Sequence, residues 1–269
     1  MPITEWIFLY FLLGLFVGFM AGLLGVGGGG ILVPLLVSIF TYQGMNTDNV
    51  VNLALGTSLA CMIISSAASI RAHASRGAVA WKVVYGMAPG VIFGAFLTTR
   101  IAADINSIYI AIFFSLFMAL VAVQLFFNWK PKTSQTPTRF YGLFLAGSGI
   151  GSVSSLAAVG GGFLSVTYLT YKNLDMKKAI GTSSAIGFPI AIAGTLGYLI
   201  NGWSKTSGEA YTLGFIYMPA FLIVSITSFI AAPYGVRSAH YLPDVHLKKI
   251  FALISLALSI KMLFSVIHF

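Results

Sequence analysis

The sequence predicts an all-α polytopic membrane protein of two inverted repeats, each with a glycine-broken first helix and three further spanning helices. Three observations predict it: an apolar composition, a glycine cluster that occurs once in each half, and basic residues that sort to one side of the bilayer. Of 269 residues, 58% are hydrophobic and 8% charged, with a mean hydropathy of +0.94. So little polar surface cannot coat a soluble globule of this size, and the chain belongs in lipid. Its net charge of +9 does not indicate nucleic acid, because the Lys and Arg stand singly between apolar runs instead of gathering with aromatics on one face.

A spanning helix needs about 20 mostly apolar residues. Trp6 to Leu24, Asn49 to Ile70, Val83 to Thr99 and Ser107 to Phe127 meet or approach this in the first half. Phe140 to Ala157, Lys177 to Ile200, Tyr211 to Ala231 and His246 to Ile267 repeat the series, giving eight long helices. Ile31 to Phe40 and Phe163 to Thr170 are apolar pieces too short to span upright, so two short helices complete the set. The amino terminus lacks the basic stretch of a signal peptide, so the first segment is expected to be retained. Asn128 to Arg139, with two prolines, basic residues and hydroxyls, reads as an exposed linker. The division is therefore 1–128 as first repeat, 129–139 as cytoplasmic linker and 140–269 as second repeat.

Duplication rests on residues. Gly25-Val26-Gly27-Gly28-Gly29-Gly30-Ile31-Leu32-Val33-Pro34 recurs as Ala158-Val159-Gly160-Gly161-Gly162-Phe163-Leu164-Ser165-Val166-Thr167, offset by 133 positions. Gly56-Thr57-Ser58 pairs with Gly181-Thr182-Ser183, and Pro89 with Pro219.

Cytoplasmic loops carry excess Lys and Arg, so the basic residues vote on topology. Four plain crossings per half put seven on each side, which gives no orientation. If each glycine cluster instead turns the chain back, Arg71, Arg76, Lys82, Lys130, Lys132, Arg139, Lys172, Lys177, Lys178, Arg237, Lys248 and Lys249 share one side. Only Arg100, Lys205 and Lys261 remain opposite, twelve against three. Each half then crosses an odd number of times, the halves are inverted relative to one another, and both chain ends lie outside the cytoplasm. The count fixes parity and leaves open a re-entrant hairpin or a full crossing with a short return.

No carboxylate is placed at mid-membrane to hold a desolvated cation: Glu5, Asp48, Asp104, Asp175, Glu209 and Asp244 fall in or beside loops. An anion can instead be held by helix amino termini, where free N–H groups and the positive dipole end converge. Glycine suits such a nest because its backbone approaches the ion without a Cβ. Gly27, Gly28, Gly29, Gly160, Gly161 and Gly162 are the candidate binding backbone, with Thr57, Ser58, Thr182 and Ser183 as hydroxyl donors. Two alternatives stay open: glycines that only let helices pack closely, and hydroxyls bonded to their own preceding turn. Pro34, Pro89, Pro189 and Pro219 are candidate kinks or hinges. His73, His240, His246 and His268 read as solvated interfacial residues, and the lone Cys61 as a packing residue. No metal-ligand cluster or cofactor motif is present, so no cofactor is expected.

The ordered glycine cluster, the later Gly56-Thr57-Ser58 and their echoes resemble the sulfite exporter TauE/SafE family of membrane permeases across essentially the whole chain. Membership implies a multi-pass cell-membrane transporter of small sulfur-containing anions such as sulfite or organosulfonates. The second half departs from the pattern: Phe163 stands opposite Gly30, and Thr167 replaces the proline matching Pro34.

The reading that follows is a secondary transporter, in the exporting direction, for a small sulfur oxyanion, working by alternating access between the repeats. Its partners are the small anion and the lipid bilayer, not nucleic acid; a homo-oligomer is left open. An anion channel is the nearer rival. An intramembrane enzyme would need paired acids, a metal cluster or an activated nucleophile within the spans, and none is visible.

Overall fold

In a computed structural model, residues 3–25, 27–45, 48–127, 140–206 and 210–267 are described. The linker from Asn128 to Arg139, with its three basic residues, lies outside them, as do Val26 and Glu209. The described chain is all helix: α1 (Ile3–Leu24), α2 (Gly29–Tyr42), α3 (Val50–Ala74), α4 (Trp81–Ala102), α5 (Ser107–Phe126), α6 (Phe140–Ala157), α7 (Gly162–Tyr171), α8 (Met176–Gly202), α9 (Met218–Tyr241) and α10 (Asp244–Ile267). Seven of these, α1, α3, α4, α5, α6, α8 and α9, are long and apolar enough to cross a membrane; α10 has 24 residues with a shorter apolar stretch, Ala252–Phe264. The expected eight long and two short helices are present.

Two boundaries differ from the apolar runs. α9 begins at Met218, not Tyr211, because the left-handed residues Tyr211 (φ 63°) and Gly214 (φ 55°) turn the chain, and Thr212 pairs with Tyr217 in an isolated bridge. The helix then continues to Tyr241 through Pro233. Pro219 is therefore the second residue of α9, where its missing N–H costs no helical bond. The kink expected there is corrected to a helix start. Pro34, Pro89 and Pro189 do lie inside α2, α4 and α8.

Helix pairing follows an exchange rule. α1 packs along α9 as α6 packs along α4; α3 meets α9 as α8 meets α4; α2 lies on α3 as α7 lies on α8; and α3 meets α8 and α5 meets α10 across the centre. Exchanging the first five helices for the last five leaves this pattern unchanged.

Small residues make the tightest seams. On α1, Gly14, Gly18 and Gly22 recur every fourth residue, which places them on one stripe, and each abuts backbone of α9 at Val224, Ser228 and Ala232. On α4, Gly90 and Gly94 abut α6 backbone at Phe144 and Ser148, while Gly147 and Gly151 of α6 abut Met87 and Val91. A methyl at any of these would overlap the facing backbone, as expected where close van der Waals approach holds helices together in lipid. The innermost helices are α3 and α8, with 78% and 67% of their spanning windows buried. Outward faces carry the exposed Phe8, Phe93, Leu116, Leu145 and Ile226, the expected lipid-facing surface.

Each glycine break turns the chain back. The Tyr10 hydroxyl, near the start of α1, donates to Gln43 Oε1 (3.3 Å), just past the end of α2. The 14 residues of α2 rise about 21 Å, close to the climb from Gly25 back to Tyr10. In the second half, Tyr171 at the end of α7 lines one groove with Leu145 near the start of α6. Contacts sort the loops into two ends of the bundle. At one, Lys205 pairs with Asp104 (2.8 Å) and Arg100 donates to Asn201 (3.3 Å), joining the ends of α4 and α8; the Lys205 ammonium holds the Asp104 carboxyl below the usual carboxylate range. At the other, Lys177 Nζ donates to His240 O (3.1 Å), joining the start of α8 to the end of α9.

Candidate functional site

The two breaks are built alike. Gly28 (φ 79°) and Gly161 (φ 70°) are left-handed residues immediately before α2 and α7, and Gly27 and Gly160 precede them with φ of 73° and 61°. A side chain is strained in this region by about 1–2 kcal/mol. Gly25 (φ 68°) has Ala158 (φ 46°) as its counterpart, so one alanine carries that strain.

The breaks meet each other. Gly29 abuts the Ala158 backbone and Gly30 the Val159 side chain, while Gly187 of α8 abuts Gly160. All the described glycines of both breaks are buried. The Ser183 hydroxyl lies between them, within 3.3 Å of Gly25 O and 3.1 Å of Gly162 O, one carbonyl from each break. Ser65 on α3 donates to Gly27 O (2.9 Å). Carbonyls of the two breaks are thus paired by serines of α3 and α8.

The freed N–H groups are not. Ile31 and Leu32 both donate to Gly28 O, which begins the α2 ladder. The N–H groups of Gly27, Gly28, Gly29 and Gly30 have no acceptor among the described residues, nor have those of Gly160 and Gly161. In the second break Gly162 N donates to Val159 O (3.1 Å) and Ser165 N to Gly161 O (2.6 Å), so fewer donors are open there. Two buried hydroxyls without partners stand beside the nests. Ser66 Oγ is 3.2 Å from where a Cβ on Gly27 would lie, and Ser165 Oγ is 2.9 Å from the same point on Gly161. Buried polar groups are normally paired, so unpaired donors concentrated at one locus need an acceptor from elsewhere.

The hydroxyls named from sequence divide. Ser183 is at the breaks. Ser58, buried and unpartnered, sits one helical turn from Met62, the residue against Gly27, on the same face of α3. Thr57 and Thr182 do other work. Tyr217 N donates to Thr57 Oγ1 and Ala80 N to Thr182 Oγ1, both at 2.9 Å, and Tyr217 and Ala80 are the residues capping α9 and α4. Gly56 and Gly181 let Phe215 O and Ala78 O approach alongside. Each Gly-Thr pair thus fixes the entry to a helix of the opposite half. The Thr57 proton goes to Leu53 O (2.7 Å), leaving no donor for an anion. The structure does not bring the two Gly-Thr-Ser segments together: Leu59 packs at Gly194 and Ser69 bonds Ser184, so α3 and α8 run antiparallel. Thr57 and Thr182 are then about 20 Å apart along the helix axes by rise per residue.

Ser65, Ser66 and Ser165 were not singled out from sequence. Their signal was present: Ser65 and Ser66 lie two turns beyond Ser58 on α3, and Ser165 four residues beyond Gly161. Asp48, Asp104 and Asp175 lie outside helices, and Glu5 and Asp244 fall in the first turns of α1 and α10, while no cluster of three potential metal ligands occurs among the described residues. A groove of about 550 Å³ between α5, α6 and α7, lined by Leu145, Gly149, Ile150, Phe163, Thr167 and Tyr171, is apolar and borders the second break. Ile150 forms both its floor and a wall of the second break.

Comparison with known proteins gives the same class. The family described as sulfite exporter TauE/SafE matches residues 10–262. A probable membrane transporter protein of Haemophilus influenzae is 32% identical over 260 residues, covering 96% of this chain and 98% of that one. Probable membrane transporter proteins of Methanocaldococcus jannaschii (27% identity, 89% of each chain) and Bacillus subtilis (28% identity, 90% and 92%) are similar over nearly the same extent. No solved structure matches the chain. With the family covering nearly every helix and its named relatives being membrane transporters, not enzymes, this chain is a multi-pass membrane transporter of the sulfite exporter TauE/SafE family.

Proposed function

We propose that the protein is a secondary transporter that exports a small sulfur-containing oxyanion, such as sulfite or an organosulfonate, by alternating access between two inverted repeats, 1–128 and 140–269. The observation that carries the anionic part is the run of open N–H groups at Gly27, Gly28, Gly29 and Gly30, buried beside the unpartnered hydroxyl of Ser66, with the unpartnered Ser165 hydroxyl beside Gly161 of the second break. Donors without fixed charge favour an oxyanion and keep binding weak enough for release. Gly160, Gly161, Gly162, Ser58 and Ser183 complete the proposed site, with Thr57 and Thr182 holding the helices that frame it.

Burial of both breaks supports alternating access over an open pore, because an ion reaches them only when the halves part. The exchange pattern of helix contacts supports a repeat pair, and sorting of the loops into two ends agrees with inversion. The end bearing Arg71, Arg76, Lys177 and Arg237 is assigned to the cytoplasm, which puts both termini outside. A membrane potential negative inside itself drives an anion outward.

The test is a thermal-stability screen of purified protein against sulfite, sulfoacetate, thiosulfate, sulfate and zwitterionic taurine. A ligand that binds the folded state raises the melting temperature. Stabilisation by at least one sulfur oxyanion is expected; a response to taurine alone overturns the anionic assignment.

A further inference from the structure

His73 and His240 form a second buried polar centre. His73, near the end of α3, is only 1% exposed, and its ring stands 5.6 Å from that of His240, near the end of α9. The solvated role expected for His73 is corrected by this burial. His73 Nδ1, His73 Nε2 and His240 Nε2 are buried without a well-formed hydrogen bond among the described residues, and the Gly22 backbone of α1 lies close to the His73 ring. The two rings are in contact, and packing alone gives no reason to leave three nitrogens unsatisfied.

The pair joins the halves, since α3 belongs to the first and α9 to the second. The charged groups around it are cationic. Arg76, in the turn after α3, is tied to Ala72 O (2.8 Å), and Lys177, at the start of α8, to His240 O (3.1 Å). Arg71 and Arg237 occupy the same helix ends, Lys178 follows Lys177, and α1 approaches through Gly22 with no titratable side chain at this end. Asp175 caps α8 nearby and makes no ion pair among the described residues.

We propose that His73 and His240 form a proton-binding site whose occupation parts the two halves at this end of the molecule. With the rings neutral, the closed arrangement seen here is tolerated. Adding a proton gives an imidazolium two N–H donors with, among the described residues, only the Gly22 backbone near enough to receive one, next to a second imidazole and the Arg76 and Lys177 cations. Burial of an uncompensated charge is costly, so the charged pair favours separation of α3 from α9 and entry of water. Imidazole is the side chain whose ordinary charge change lies nearest to neutral pH. Coupling of that opening to anion movement rests on the transport reading above; the opening itself does not.

The test uses full-length protein in lipid nanodiscs, with Cys61→Ala and spin labels on Ser75→Cys and Tyr241→Cys, both exposed positions at the ends of α3 and α9. Distance distributions are recorded at about pH 8 and about pH 4, a range wide enough to include a shifted imidazole titration, with no anion other than chloride. A longer-distance population that grows several-fold at the lower pH is expected, and it disappears in His73→Gln/His240→Gln. Identical distributions at both pH values, or a pH response unchanged in the double variant, overturn the proposal. If the double variant does not fold, His240→Gln alone serves, since His240 is only partly buried. A positive result here alongside a failed anion screen sinks the substrate reading and not the proton site.

Discussion

At the residue scale, the two hydroxyl types separate by what their protons are bonded to. Thr57 donates to Leu53 O and accepts from Tyr217 N, so Thr57→Val leaves a buried N–H unpaired. The expected cost is about 1–3 kcal/mol of stability, read as a lower melting temperature, with the affinity for sulfite unchanged in the protein that remains folded. Ser66→Ala and Ser165→Ala should do the opposite. Neither hydroxyl bonds within the protein, so stability holds while sulfite affinity falls about tenfold each, the loss of one hydrogen bond to a charged ligand. The glycines and Ser183 were legible from sequence because helix breaks and their spacing are local properties. That Thr57 and Thr182 cap helices of the opposite half was not, since Tyr217 is 160 residues from Thr57 and Ala80 is 102 from Thr182. A hydroxyl's role depends on the partner that folding delivers.

At the element scale, the glycines answer both questions asked of them. Those in α1, α4 and α6 are packing surfaces, with facing backbone where a Cβ would be; those in the breaks open the helix. Gly94→Leu therefore drives α4 from α6 and should lower stability by about 1–3 kcal/mol or more, whereas its effect on anion binding is secondary. Gly28→Ala acts differently. It strains a left-handed residue by about 1–2 kcal/mol and collides with Val17, so both stability and ligand-dependent stabilisation should fall, in thermal scans with and without sulfite. Helix identity was legible throughout because each long apolar run exceeds what a loop can hold in lipid. The start of α9 was not: Tyr211 to Tyr217 is apolar enough to extend a span, but Gly214 and Tyr211 take left-handed conformations, and composition cannot see dihedral angles. The equivalence drawn between Pro89 and Pro219 failed for the same reason, with one inside a helix and the other at its start.

At the scale of the whole molecule, the account requires that the ends of α3 and α9 and the starts of α4 and α8 face the cytoplasm together. Single cysteines at Ser75 and Asp104, placed in a Cys61→Ala background, should label from opposite sides of intact cells: Asp104→Cys from outside, Ser75→Cys only after the membrane is opened. Labelling of both from outside removes the inverted arrangement. The charge count in the sequence proposes this division from the order of crossings alone; the meeting of the two breaks at the centre needed the fold. Whether open glycine amides receive an anion is read by adding sulfite to protein labelled with ¹⁵N-glycine in nanodiscs and following amide resonances. Downfield shifts are expected at Gly27, Gly28, Gly29, Gly30, Gly160 and Gly161, while packing glycines such as Gly18 and Gly94 stay in place. Saturable shifts confined to glycines outside the breaks, or none at concentrations that stabilise the protein, would contradict that expectation.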